Sequence, residues 1–117
     1  MKRLIGSLAF TFALVAFVFP LQAADATTWT NVALMDQHCS EKMSDDPDSH
    51  PRACALQCAK GGYGVITVDG KYLKFDEAGN KKALEALKKS DKKDHLRATV
   101  TGTLSGDVIT VSAFSIE

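Results

Sequence analysis

Residues 27–36 alternate, with Val32 and Leu34 on one side and Trp29, Ala33 and Met35 on the other, which predicts a first strand partly covered on both faces. The next ten residues, 40–49, contain one apolar side chain, Met43, and read as a surface loop. Pro51 then suits the first position of a helix, with Ser49 or His50 near the cap, and Gly61-Gly62 ends it. Tyr63 to Val68 and Lys71 to Phe75 form two strands joined at Asp69-Gly70, a dipeptide that favours a two-residue type I′ turn. Asn80 is the expected cap of a second helix over 81–89, with Ala83, Leu84 and Leu87 as its buried stripe. His95 to Leu104 and Val108 to Ile116 close the chain as a hairpin across Ser105-Gly106-Asp107. Leu96, Ala98, Val100 and Leu104 share one face of its first arm.

The order is therefore β-α-β-β-α-β-β. Five short strands, with one helix before the central hairpin and one between the third and fourth strands, predict a mainly β fold. The expected architecture is a five-stranded OB-like small barrel whose second helix plugs one end. An open five-stranded sheet on two helices is the alternative. No repeat, low-complexity stretch or second domain interrupts the pattern, so residues 24–117 read as one domain.

The first 23 residues read differently. Lys2 and Arg3 precede an uncharged apolar run from Leu4 to Phe19, which is too short for the roughly 20 residues that span a bilayer and ends in Pro20 and small residues. This predicts a signal peptide, residues 1–23, cleaved after Ala23, with Ala26 as the alternative. The expected location is periplasmic or secreted, with no membrane attachment after cleavage. Removing 23 of 117 residues leaves 94, and the loss of Lys2 and Arg3 turns 14 basic against 14 acidic residues into 12 against 14. A net charge near −2 offers no long-range attraction to nucleic acid. A domain of that size gains usefully from a covalent or metal staple.

Three cysteines are candidates for that staple: Cys39 in Asp36-Gln37-His38-Cys39, and the pair Cys54 and Cys58, with His50 four residues before the pair. Disulfides persist in oxidising compartments, so an odd number leaves one sulfur to be explained. The four-residue spacing sets Cys54 and Cys58 on one helix face with nearly parallel Cβ directions, so a bond between them would distort the helix. A disulfide from Cys39 to Cys58 or Cys54 is the better pairing. It closes a loop of roughly 15 to 20 residues and contributes about 3 kcal/mol by loop entropy. The alternative uses all three sulfurs, Cys39, Cys54 and Cys58, with His50 or His38 as a Cys3His site for zinc or copper. In that case Asp36 serves as an acceptor for His38 behind the metal.

The remaining features carry less chemistry. Asp45, Asp46 and Asp48 lack the spacing and the terminal Glu of a calcium loop. Met35 and Met43 are packing residues, and His95 is a solvated turn residue. Tyr63, Tyr72 and Phe75 have the rings that stack on bases or sugars, but their expected role is core packing. No G-x-S-x-G or H-E-x-x-H is present, and the C-x-x-x-C spacing is a poor substitute for a redox C-x-x-C, so the chain does not read as an enzyme.

Several of these segments together carry a resemblance: Asp36-x-x-Cys39 at a strand end, Ala53-Cys54-x-x-x-Cys58 in a helix, Gly62-Tyr63-Gly64, Asp69-Gly70-Lys71-x-Leu73-x-Phe75, and Val100-Thr101-Gly102. The chain resembles a family of small exported bacterial proteins of uncharacterised function with an OB-like barrel. The resemblance implies the fold and the address, and no activity. The expectation is a monomeric, exported binding or structural module whose partner is a small ligand, a metal ion or an envelope protein.

Overall fold

Alternating side chains make β1 (Thr27–Asp36) a strand, and hydrogen-bonding partners on both of its edges wrap the sheet around on itself. In the computed structural model, which describes residues 26–117, β1 is followed by α1 (Arg52–Gln57), β2 (Tyr63–Ile66), β3 (Tyr72–Phe75), α2 (Glu77–Lys89), β4 (Arg97–Ser105) and β5 (Val108–Ile116). The expected signal segment 1–23 lies outside the described residues. The strands close in the order β1-β2-β3-β5-β4. Every pairing is antiparallel except that of β3 with β5. This is the small OB-like barrel, and the open sheet is excluded because β4 returns to β1.

Val32, Leu34, Val65, Val100 and Ile109 fill the interior, and Ala83 and Leu87 of α2 press onto it from one end. A second, smaller cluster lies outside the wall, where Ala33, Met35 and Ile66 meet Cys39, Met43 and Tyr72. Both methionines therefore pack. Tyr63 and Phe75 belong to the main core, where Phe75 sets its ring edge-on to Phe114 at 5.7 Å between centroids. Among the described residues, no helix is long and apolar enough to cross a membrane.

Five expectations are corrected. Trp29 packs on the main core and not beside Ala33 and Met35, because a bulge between Trp29 and Val32, with Asn31 at φ 55°, inserts one residue and reverses the side-chain parity. The β2–β3 turn is a three-residue loop, Val68-Asp69-Gly70. Only Gly70 has positive φ, and its N–H donates to the Thr67 carbonyl at 2.9 Å, so the turn is type I with a glycine bulge and not type I′. Leu104 continues the inward parity of β4 but reaches the barrel rim, where it is 44% exposed. The helix expected to run to Lys60 stops at Gln57 and tightens into a 3-10 turn at Ala59–Gly61.

The fifth correction is the start of α2, which begins at Glu77 with Asp76 as its cap. One Asp76 oxygen accepts from both the Gly79 and the Val111 N–H groups. Asn80, set free from capping, accepts the Tyr63 N–H at 2.8 Å and ties the helix to β2. Gly79 sits inside the helix because a Cβ there would lie 2.5 Å from Val111 Cγ2 and 2.8 Å from Phe75 Cβ. Gly79→Ala should therefore lower stability by about 1 kcal/mol, even though Ala is the better helix former by a similar amount. A melting temperature raised by this substitution would show that the helix does not approach the barrel so closely.

Candidate metal centre

Asp36 ends β1 at the rim of the barrel, is fully buried, and caps the 3-10 turn Gln37–Cys39 by accepting the Cys39 N–H at 3.1 Å. Its other oxygen lies 2.6 Å from His50 Nε2. His50 is itself only 2% exposed, so a carboxylate and an imidazole meet out of contact with water. The loop from 40 to 49 delivers His50 to this place. Arg97 grips Asp48 with two parallel bonds of 2.8 Å, and the Asp48 carbonyl accepts the His95 N–H at 2.9 Å. The turn Pro47–Ser49 then sets the chain so that His50 points back at the end of β1, with Pro51 holding an extended exit. Asp48 is thus an ion-pair anchor, and the Arg97 guanidinium holds its carboxyl below the usual carboxylate range.

Donor atoms of Asp36, Cys39 and His50 all lie within 4.8 Å of one another. They come from a strand end, a 3-10 turn and a loop, and burial falls from Asp36 and His50 to the half-buried Cys39. Cys58 lies outside this group. The elements around the group are well tied. Asp36 faces Tyr63 in the β1–β2 register, and the Tyr63 hydroxyl donates to the Ala55 carbonyl at 2.7 Å, which fixes α1 against the barrel.

The electrostatics are one-sided. Burial, and then the Asp36 charge, push the Cys39 thiol above its ordinary value. The same two causes, in the same order, raise Cys58. Burial with Asp36 and Cys58 nearby pushes the Tyr63 phenol up to about 12. A further negative charge is opposed throughout this pocket, whereas a cation would be welcomed by the carboxylate and would displace the thiol protons.

The candidates separate as follows. Cys39 and His50 meet as expected. Asp36, read from the sequence as an acceptor for His38 behind a metal, instead bonds His50 and contributes directly to the group. His38 is exposed and lines, with Cys58, Lys60 and Gly61, an outward cavity of about 270 Å³. Three successive residues of a 3-10 turn point about 120° apart, so adjacency to Cys39 does not bring His38 to the same point. Among the described residues the donor atoms that come together are those of Asp36, Cys39 and His50. Cys54 is half-buried and lies outside the group. All three cysteines are free, and no disulfide joins Cys39 to Cys54 or Cys58. The Cys39 sulfur lies beside the Asp36 carboxylate instead. His95, at φ 51°, is exposed and bonds Asp94, in keeping with a solvated turn.

Comparison with protein families, with curated proteins and with solved structures finds no match for this chain.

Proposed function

We propose that this protein is a small metal-binding module that holds one zinc ion through Asp36, Cys39 and His50. It works in the periplasm or outside the cell as a monomer and is not an enzyme. The observation that carries this reading is the meeting of three zinc-ligand types within 4.8 Å at a buried point. A buried Asp–His pair is weak support for stability on its own account, because desolvation consumes most of its attraction, so its presence asks for another reason. Zinc is favoured over copper(I). A soft d10 ion of lower charge selects sulfur, and a carboxylate in the donor set suits the harder, divalent ion.

A second reading shares the same atoms. Asp36 pairs with Tyr63 and the Gln37 N–H donates to the Gly62 carbonyl at 3.0 Å, so the segments that carry Cys39 and Cys58 leave the same end of the barrel, and oxidising conditions favour a disulfide between them. Metal and disulfide exclude each other, since Cys39 cannot serve both. A zinc titration of fully reduced protein tests the main reading. It should saturate at about one equivalent, and His50→Ala should weaken binding by roughly 10-fold or more. Absence of stoichiometric binding, or a His50→Ala protein that binds as tightly as the parent, would overturn it.

A further inference from the structure

β3 turns Leu73 and Phe75 into the barrel and leaves Tyr72 and Lys74 on its outer wall. Gly64 of β2 lies opposite Lys74, and Met35 of β1 lies opposite Gly64. A Cβ on Gly64 would stand 2.8 Å from Tyr72 Cζ and 2.9 Å from Tyr72 Cε2, and the Tyr72 hydroxyl donates to the Met35 carbonyl at 3.4 Å. The ring therefore starts on β3, lies over the bare glycine of β2 and ends on β1. A ring laid along the wall in this way presses one face onto Gly64 and turns the other away from the barrel.

Tyr72 lines a cavity of about 450 Å³ together with Gln37, Ser40, Glu41, Lys74 and Asp107. Small-molecule sites span about 300–1,000 Å³, so the space suits a compact ligand. We propose that this cavity binds a neutral saccharide of one or two rings, stacked on Tyr72. It shares the turn after β1 with the Asp36–Cys39–His50 group but none of its donor atoms, so it goes beyond the metal reading and does not depend on it. Backbone bonds set its walls before any ligand arrives. The Gln37 N–H donates to the Gly62 carbonyl at 3.0 Å and the Ser40 hydroxyl to the Gln37 carbonyl at 2.8 Å, which holds the turn after β1. Opposite, the Lys74 N–H donates to the Asp107 carbonyl at 2.8 Å and holds the β4–β5 turn against β3.

The lining selects the class of ligand. Glu41 and Asp107 accept hydrogen bonds, Lys74 donates, and the Gln37 amide does both. None of these three charged groups enters an ion pair among the described residues, so each is available to a ligand. Two acids against one base do not attract a polyanion such as a nucleic acid, and so many polar groups oppose a wholly apolar guest. Sugar hydroxyls both donate and accept, so one ring can serve carboxylate, amide and ammonium together. Its C–H face meanwhile meets the electron-rich face of the Tyr72 ring.

Amide NMR of the reduced protein, with a chelator present so that no metal contributes, tests the site. Cellobiose, maltose and N,N′-diacetylchitobiose are the probes. At least one should give saturable shifts centred on residues 37–41, 72–74 and 106–107. Tyr72→Leu, which keeps the wall covered but removes the ring, and Asp107→Ala, in an exposed turn, should each weaken that binding by about 10-fold or more. Circular dichroism checks that both variants are folded, and Asp107→Ala carries the test should Tyr72→Leu fail to fold. No saturable shift with any of the three sugars, shifts centred elsewhere, or parental affinity in either folded variant would overturn the proposal. Shifts of the same residues with an oligothymidylate and not with the sugars would overturn it in favour of nucleic acid.

Discussion

Asp36→Ala should destabilise the metal-free, reduced protein by about 3–5 kcal/mol. The carboxylate is fully buried and accepts from His50 Nε2 at 2.6 Å and from the Cys39 N–H at 3.1 Å. Removing it leaves a buried imidazole and the N–H groups of a capped turn without partners, and breaking one side of a buried pair is among the costliest single changes. Small domains have about 5–15 kcal/mol to lose, so at the lower end of that range the variant would be largely unfolded. Asp36→Asn should lose less, since its carbonyl oxygen can still cap the turn while its amide NH2 faces His50. The Asn variant should also bring the Cys39 and Cys58 thiols back toward their ordinary values, because the charge that raises them is gone. Urea unfolding at fixed pH, in the presence of a reductant and a chelator, measures the first effect. A change below about 1 kcal/mol for Asp36→Ala would show that the pair is not held as described.

Zinc affinity should climb by close to 10-fold for each pH unit between about pH 7 and 8. Burial and the Asp36 charge raise the Cys39 thiol, so at these pH values it carries a proton that the metal must displace. One thiol proton released per ion gives a slope of one in log affinity against pH. A raised thiol keeps that slope going to higher pH than an ordinary cysteine would, and acidification weakens binding. Titrations across the range, with proton release followed in weak buffer, check this. An affinity that is flat over the same interval would mean that the bound ion does not use the thiols.

The barrel was legible because its signals are local. Val32 and Leu34, the glycines at 61 and 62, and the helix placed between the central hairpin and the last one each follow from spacing and propensity. What escaped depends on close approaches between distant segments. Gly79 reads as a turn residue until Val111 and Phe75 are seen to leave no room for a Cβ, and that displaced the expected start of α2 from Asp76 to Asn80. Trp29 changed sides through the bulge at Asn31. Asn is the residue type that best tolerates positive φ after glycine, and this was the available signal.

The site divides in the same way. Cys39 and His50 were recognisable by residue type. The choice of His50 over His38 was not, because it depends on the Arg97–Asp48 anchor across 49 residues, which steers the loop back. Cys54 and Cys58 are equivalent under helical spacing, and they separate only because α1 stops at Gln57. Asp36 was read as standing behind the donor group and not within it. An acid closing the buried run 32–35 has to be buried along with its neighbours Leu34 and Met35, and a buried acid needs a partner.

The most direct measurement is the combined metal and thiol content of the protein, produced from the full sequence and purified without chelator. Intact mass and elemental analysis on the same sample should give about one zinc per chain and, once the metal is removed, three free thiols. One disulfide, one free thiol and no stoichiometric metal would contradict the account and leave a disulfide-stapled barrel in its place.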